Sequence, residues 1–298
     1  IYPADAPRVA SVSGFGIRLR LDTQAEGDAG TLRLACNEFT ADSLMEAPNG
    51  TRIHFAPIPS PPPLPPLEAS LVITHGGDAW GAGRAGMQYR DLIPDRWGGR
   101  YIASHIRIPV GGPVPDYVHH HNVCFQLIFC RNGWVRVVYE DQGPDFVMNE
   151  GDCVLQPPHI RHRVLECSDA MEVVEISCPA EHETLVDHAL QLPTDTVRAE
   201  RDFSGQRFVR SVAKDAEWQA WRIAGFECRD TGIAAATGDV ASAKVVRSAG
   251  ESEQDFASHT AEFVFLFVLN GTAELHCAGE HALGRNDSCA IPANTPYR

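Results

Sequence analysis

The chain contains an internal repeat, and no other feature of the sequence limits its possible folds as strongly. An Arg-Asp pair, a histidine and a glycine recur in the same order and at matching separations along the chain. These residues are Arg90-Asp91, His121 and Gly133 in the first copy, and Arg229-Asp230, His259 and Gly271 in the second. We therefore predict two tandem copies of one unit of about 138 residues.

Within each copy, the apolar residues occur in short runs that are typical of β-strands. The runs are rich in Val, Phe and Ile, and they cover residues 127–130 and 135–139 in the first copy and 263–269 and 272–276 in the second. Short strands separated by Gly, Pro and Asp residues indicate an all-β sandwich or barrel. One helix is predicted over residues 179–190, where a proline and early acidic residues precede an apolar stripe.

The repeat also sets the expected domain boundaries. Residues 1–70 form an N-terminal extension that ends in a Pro-rich segment, 57–66, which we expect to be an extended linker. Residues 71–195 form the first barrel and residues 196–298 form the second. The second copy stops before the counterpart of the strand predicted at 171–176. Either its ordered part ends early, or another segment, such as residues 17–21, supplies that strand.

Composition and charge restrict the classes of function. The chain has 25 Lys and Arg against 39 Asp and Glu, a net charge of −14, whereas proteins that follow a nucleic-acid backbone need a basic surface. No apolar run approaches the roughly 18 to 20 residues that span a bilayer, and residues 1–10 do not resemble a signal peptide. The nine cysteines include no CxxC pair, so we expect reduced, buried thiols. We predict a cytoplasmic protein without nucleic-acid or membrane partners.

The residues best suited to chemistry lie in two segments of the first copy. His119 and His121 are two residues apart, so on an extended strand their side chains lie on the same face. Gln126 opens the next predicted strand, where its side chain can reach the same point, and His162 follows a later strand. Imidazoles that converge from separate strands inside a barrel suit a divalent first-row metal ion. The two segments therefore predict a metal site in the first barrel.

These segments resemble the paired motifs of the cupin superfamily, G(X)5HXH(X)3-4E(X)6G and G(X)5PXG(X)2H(X)3N. The first motif is matched with one additional residue before the histidines, and Gln126 stands where the family usually has Glu. In the second motif, His159 replaces the usual Gly and Glu166 replaces the usual Asn. The resemblance extends over roughly residues 75–298, so the chain is similar to bicupins, which have two tandem jelly-roll β-barrels.

The resemblance implies that His119, His121 and His162 are metal ligands, and that Gln126 is a fourth ligand or positions the substrate. Gln126 is thus the candidate catalytic residue. A neutral amide in place of Glu leaves the full +2 charge of the ion, which favours direct binding of an anionic oxygen, and it removes the obvious general base. The implied cofactor is one divalent metal ion, with Fe2+ favoured and Zn2+, Mn2+, Ni2+ and Cu2+ as alternatives, because similar three-histidine cupins include iron dioxygenases.

The second copy lacks most of this ligand set. Ala257, His259, Val264 and Tyr297 stand at the positions of His119, His121, Gln126 and His162, respectively. One imidazole cannot hold an ion that the first copy binds with three. We therefore expect a degenerate second barrel that is structural or holds an organic ligand.

Three functions remain open from the sequence. The leading hypothesis is an Fe(II) dioxygenase that acts on a small oxygen-rich substrate, such as a diketone, a hydroxy acid or a phenolic acid. The first alternative is a metal-dependent lyase, isomerase or cyclase that does not use O2. The second is a non-catalytic small-molecule-binding or sensor bicupin whose metal is structural.

Strand alternation also predicts a buried surface outside each barrel. In the first copy, the residues that face away from the predicted site are Phe125, Leu127 and Phe129. In the second copy, the outward residues are Phe263, Phe265, Phe267 and Leu269, and the inward residues are Val264, Leu266 and Val268. A sheet that is apolar on both faces is rarely exposed to water on either. We expect the outward rows to pack against the other barrel or a second chain, which makes a homodimer possible.

Overall fold

The computed structural model describes residues 9–14, 17–22, 30–35, 43–56, 62–83, 86–250 and 255–298. The chain divides into two compact units, residues 1–60 and 61–298. In the first unit, β1 (Val9–Gly14) and β2 (Ile17–Asp22) form an antiparallel pair. A second sheet has the order β3-β5-β4 and consists of β3 (Thr31–Ala35), β4 (Ser43–Glu46) and β5 (Arg52–Ala56).

The second unit contains both copies of the repeat and is almost entirely β-structure. The strands and the short helix before residue 196 are β6 (Val72–Thr74), β7 (Gly81–Ala82), β8 (Gln88–Asp91), α1 (Arg96–Gly99), β9 (Ile102–Ile108), β10 (Gly112–Pro113), β11 (His119–His121), β12 (Phe125–Asn132), β13 (Trp134–Tyr139), β14 (Phe146–Asn149), β15 (Cys153–Gln156), β16 (His162–Cys167), β17 (Met171–Cys178) and β18 (Thr184–Val186). Those after it are β19 (Val209–Ser211), a 3-10 turn (Ala213–Asp215), β20 (Gln219–Ala220), β21 (Phe226–Asp230), α2 (Ile233–Thr237), β22 (Lys244–Ser248), β23 (Phe263–Phe267), β24 (Ala273–His276), β25 (Glu280–Leu283) and β26 (Ser288–Pro292). The prediction of an all-β fold with few short helices is confirmed.

Two sheets form the first barrel. One has the order β19-β15-β12-β17-β9-β8-β7, and the other has the order β14-β13-β16-β11-β18, with β10 also paired to β16. The core lies between them, where Val154 and Val173 of the first sheet pack with Val137 of the second. Ile128 and Cys130, which alternate along β12 with the outward-facing Phe125, Leu127 and Phe129, belong to the same core, as strand alternation predicts.

The second barrel is built from smaller sheets, in the orders β23-β26-β6, β20-β21-β22 and β24-β25. Its core includes Leu275, Leu283, Ile291 and Tyr297. Among the described residues no strand pairs with the second edge of β23, which is the place that β17 takes beside β12 in the first barrel. Residues 17–21, a candidate for that position, pair with β1 in the first unit.

The two barrels exchange strands. β19, which precedes the second copy, pairs with β15 of the first barrel, and β6, which precedes the first copy, pairs with β26 of the second. The hydroxyl groups of Thr74 on β6 and Ser288 on β26 are hydrogen-bonded at 2.6 Å in a buried position. Each barrel therefore contains a strand that the sequence places with the other.

An aromatic cluster fills the space between the barrels. Phe125 and Phe129 of β12 share a core with Phe263, Phe265 and Phe267 of β23, as predicted for the outward rows. Leu127 instead packs against α2, in a core that includes Ile233 and Ala236. Leu266 is the cross-strand partner of Cys289, a core residue of the second barrel, so it lies on the inward face as expected, although it is 36% exposed.

The predicted helix at 179–190 is wrong. Residues 184–186 form β18, which pairs with β11, and Leu185 and Val186 are exposed on it. Cross-strand hydrogen bonding to β11 outweighs the weak helical preference of this segment. Part of the Pro-rich linker, residues 57–61, lies outside the described residues, and the domain boundaries at 70 and 195 stay predictions. No helix in the described part of the chain is long and apolar enough to cross a membrane.

The cysteines lie mostly in the cores. Among the described residues eight are free thiols, of which seven are buried and Cys124 is half-buried; Cys36 lies outside the described residues. Burial raises the pKa of the Cys153 thiol to about 12, so this thiol packs as a small apolar group. Cys153 shares a core with Leu127 and Leu155.

Candidate metal centre

Three histidines meet inside the first barrel. His119 of β11 is the cross-strand partner of His162, the first residue of β16, and His121 lies two residues further along β11 on the same face. One ligand atom from each of the three rings lies within 4.8 Å of the others. The ring centroids of His119 and His162 are 4.4 Å apart, and that of His121 is 5.1 and 5.3 Å from them. The three rings thus lie together, as the spacing of His119 and His121 and the second motif predict.

Each ring is oriented by a hydrogen bond at Nδ1. Nδ1 of His119 is 2.8 Å from the carbonyl oxygen of Tyr117, and Nδ1 of His162 is 3.0 Å from that of Ile160. Because a carbonyl oxygen can only accept, these two Nδ1 atoms carry the hydrogen and Nε2 has the lone pair. Nδ1 of His121 is 3.0 Å from the hydroxyl of Thr184, its partner on β18. Oxygen partners on the far ring nitrogen are typical of histidines that bind metals, so the donor set fits a divalent ion.

The centre is buried on one side and accessible on the other. His119 and His162 are 2% and 5% exposed, whereas His121 is half-buried. His182 lies beside His121, with 5.4 Å between the ring centroids. Tyr117, which is largely exposed, contacts the ring of His119. A small molecule can therefore approach the centre from the side of His121.

Gln126 belongs to a row of polar side chains that reaches the histidines through Gln156, whose Nε2 is 3.4 Å from Nε2 of His162. Its cross-strand partners are Gln156 on β15 and Ser177 on β17. Nε2 of Gln156 donates to Oε1 of Gln126 at 2.8 Å, and Nε2 of Gln126 donates to Oε1 of Glu175 at 2.9 Å. The hydroxyl of Tyr139 donates to Oε1 of Gln156 at 2.7 Å. The role of Gln126 as a fourth ligand stays a prediction, since its amide oxygen already accepts one hydrogen bond.

The same row includes two residues that sequence reasoning missed, Gln156 and Glu175. Both follow the alternation of their strands. Val154 and Val173 face the barrel core, so the residues two positions further on, Gln156 and Glu175, face the same way. Polar residues at core-facing positions of predicted strands were the available signal.

His120 points away from the centre, as its parity predicts. Its ring lies 5.8 Å from that of His159, which has a positive φ of 63° in the turn before β16. Burial, together with the nearby Arg161, lowers the pKa of His120 to about 4. The imidazole of His120 is thus neutral at pH 7 and supports the turn rather than the centre.

The second barrel preserves the strand pairing but not the ligands. Ala257 is the cross-strand partner of Tyr297, which corresponds to the pairing of His119 with His162 in the first barrel. The hydroxyl of Tyr297 accepts a hydrogen bond from Arg222 at 2.8 Å. No group of three metal-binding side chains other than that of the first barrel occurs among the described residues.

Similarity to solved structures decides the fold. A mutant of the Bacillus subtilis oxalate decarboxylase OxdC superposes with a TM-score of 0.53 and 12% sequence identity over 76% of this chain and 72% of that protein. The structure of the B. subtilis enzyme at pH 4.6 gives a TM-score of 0.52 and 12% identity, with coverage of 76% and 71%. The chain has the cupin fold. The protein Ylba from E. coli, a DUF861 protein, agrees, with a TM-score of 0.50 and 9% identity over 80% of this chain and 89% of that one.

The chain shares little sequence with those proteins. No protein-family model and no curated protein matches its sequence. The likeness at 9–13% identity therefore establishes the cupin fold alone. The three histidines are a group that could hold a metal ion.

Proposed function

We propose that this chain is a metal-dependent cupin enzyme, an Fe(II) dioxygenase that acts on a small oxygen-rich compound. The observation that carries this proposal is the convergence of His119, His121 and His162, three neutral ligands without a carboxylate among them. Diketones, hydroxy acids and phenolic acids are the substrate classes that it favours, since each can bind a metal ion through oxygen. Fe2+ is the proposed ion.

The three histidines would hold the ion through Nε2, because their Nδ1 atoms are hydrogen-bonded to Tyr117, Ile160 and Thr184. A divalent iron bound there supplies Lewis-acid charge and one-electron redox chemistry. The backbone carbonyls fix the ring planes of His119 and His162, so these two ligands need little rearrangement to bind.

Gln126 is proposed to ligate the ion or to position the substrate. Its neutral amide does not reduce the charge at the centre, so the attraction for an anionic substrate oxygen is kept. Glu175 is the carboxylate at the end of this row, and both Gln126 and Gln156 lie between it and His162. Glu175 therefore orients the amide of Gln126 instead of accepting a substrate proton directly.

A second candidate is a metal-dependent lyase, isomerase or cyclase that does not consume O2. The structural likeness to B. subtilis oxalate decarboxylase, a protein with Mn(II) centres, favours it. Under this alternative Mn2+, Zn2+ or Ni2+ occupies the same three histidines. The substrate classes stay the same, because they follow from the neutral ligand set.

Oxygen consumption separates the two candidates. Metal-free protein is loaded anaerobically with Fe2+ or Mn2+ and then mixed with acetylacetone, lactate or a hydroxybenzoate in an oxygen electrode. We expect O2 uptake coupled to loss of one substrate class, with Fe2+ only, and none in His162→Ala. Turnover of a substrate without O2 would reject the dioxygenase and support the alternative. A cytoplasmic location, a small-molecule substrate and a homodimer are part of the same proposal.

A further inference from the structure

A series of three hydrogen bonds, all donated in the same direction, runs along the inner face of the first barrel. The hydroxyl of Tyr139 donates to Oε1 of Gln156, Nε2 of Gln156 donates to Oε1 of Gln126, and Nε2 of Gln126 donates to Oε1 of Glu175. The three distances lie between 2.7 and 2.9 Å, which is ordinary hydrogen-bond geometry. Gln126 and Gln156 are each no more than 5% exposed, so water does not compete for these groups.

Tyr139 and Glu175, at the two ends of this series of hydrogen bonds, determine the orientation of both side-chain amides. The carboxylate of Glu175 accepts hydrogen bonds, so the amide nitrogen of Gln126 faces it and the oxygen faces Gln156. That oxygen requires a donor, and the nitrogen of Gln156 provides one. The hydroxyl of Tyr139 donates to the oxygen of Gln156, which fixes the same orientation from the other end. An amide flip at Gln156 would break two buried hydrogen bonds.

The amide nitrogen of Gln156 has a second N–H that is not used in the hydrogen bond to Gln126, and this N–H points toward the histidines. Its Nε2 atom is 3.4 Å from Nε2 of His162, a long contact to the nitrogen that would bind the metal. Once Nε2 of His162 gives its lone pair to an ion, it can no longer accept from Gln156. A buried N–H without an acceptor is costly, and an oxygen of a molecule bound at the centre can accept this hydrogen bond.

We propose that Gln156 is a ligand-binding residue of the metal centre, and that its second amide N–H donates to an oxygen of the molecule bound there. This inference rests on the proposed metal site. It restricts the substrate to compounds that present a carbonyl, enolate, phenolate or carboxylate oxygen beside the ion. Tyr139 and Glu175 are positioning residues that keep the N–H turned inward.

Binding of two probes to Co2+-substituted protein tests this role without turnover. Acetylacetone offers oxygen acceptors, whereas imidazole binds a metal ion through nitrogen and offers none. Both affinities are read from the visible spectrum of Co2+, and the Co2+ content is measured by elemental analysis. The variants are Gln156→Glu and Gln156→Met, with the exposed Gln219 changed to Glu as the matched control.

We expect every protein to bind one Co2+ per chain. Both Gln156 variants should bind acetylacetone at least about tenfold more weakly, the loss expected for a hydrogen bond to a charged acceptor, and imidazole within about twofold of wild type. Unchanged acetylacetone binding in both variants would overturn the role of Gln156 and leave the metal centre standing. Failure of the wild-type protein to bind Co2+ would overturn the metal centre as well.

A measurement on the wild-type protein covers the case in which these variants do not fold. In Zn2+-loaded, 15N-labelled protein the side-chain NH2 signal of Gln156 should shift when acetylacetone is added and stay in place when imidazole is added. The opposite pattern, or a signal that responds to neither probe, would contradict the proposed hydrogen bond.

Discussion

Ala257 and Tyr297 are cross-strand partners in the second barrel, at the positions that His119 and His162 take in the first. The same strand pairing thus occurs in both barrels, while only the first barrel has histidines at both paired positions. We expect one divalent ion per chain, lost in His119→Ala and kept in the matched variant His259→Ala. Elemental analysis of protein purified without chelator measures this, and two ions per chain would contradict it.

Removal of Tyr139's hydroxyl tests the buried hydrogen-bond chain as a source of stability. Tyr139→Phe leaves the amide oxygen of Gln156, a group with 5% exposure, without its donor. The expected loss in free energy of unfolding is about 1–3 kcal/mol, the cost of an unsatisfied buried polar group. Denaturant titration measures it. Tyr117→Phe, at an exposed ring, is the control and should change stability little.

The aromatic cluster between the barrels should contribute strongly to stability. The ring of Phe263 stacks on that of Tyr101 at 4.2 Å and meets that of Trp97 edge-on at 5.4 Å. We expect Phe263→Ala to lower the free energy of unfolding by about 2–4 kcal/mol, near the lower end of values for buried Phe because the residue is only half-buried. Phe256→Ala, at an exposed ring, should cost less than about 1 kcal/mol. Equal losses in both variants would argue against the cluster.

An ion pair between the barrels should make stability dependent on pH. Arg100 binds both carboxylate oxygens of Glu262, at 2.6 and 3.1 Å, and this hydrogen bonding lowers the pKa of Glu262 below its ordinary value of 4.5. The folded chain therefore binds the Glu262 proton less readily than the unfolded chain does. The resulting stabilisation is present above the ordinary pKa and is lost as the pH falls through the lowered folded value.

Glu262→Gln should accordingly be less stable than wild type at neutral pH and approach it in acid. The difference is expected to be about 1 kcal/mol or less, because the Glu262 side chain is 40% exposed and solvent screens the pair. Urea titrations from about pH 7 down to about pH 3 measure it. The exposed Glu181, changed to Gln, is the control, and a difference that grows toward acid would contradict the assignment.

Chelation of the metal distinguishes a catalytic from a structural ion. Both barrels have cores of their own, so we expect the metal-free chain to keep its far-UV circular dichroism spectrum. Metal present at 100 times its Kd should add about 2.7 kcal/mol of stability, seen as a higher Tm. Unfolding on chelation would instead support the hypothesis of a non-catalytic binding or sensor protein, in which the ion is structural.

The sequence predicts the three histidines, whereas for Gln156 and Glu175 it offers only polar residues at core-facing strand positions and not the hydrogen bonds that join them. Strand parity places His119 and His121 on one face, and the second motif brings His162 to them. Gln156 and Glu175 depend on which strands flank β12, and that order results from long-range pairing that one sequence does not reveal. The helix expected at 179–190 failed for the same reason, since β18 exists only through its pairing with β11.

The exchange of β6 and β19 has a consequence for how such a chain can evolve. Deleting either repeat together with its leading segment would remove an edge strand from the remaining barrel, so the second barrel has to be kept even though it lacks most of the histidine set. Selection for the first barrel therefore extends to β19, which lies in the segment of the second copy, whereas Ala257 and Tyr297 pair with each other inside the second barrel.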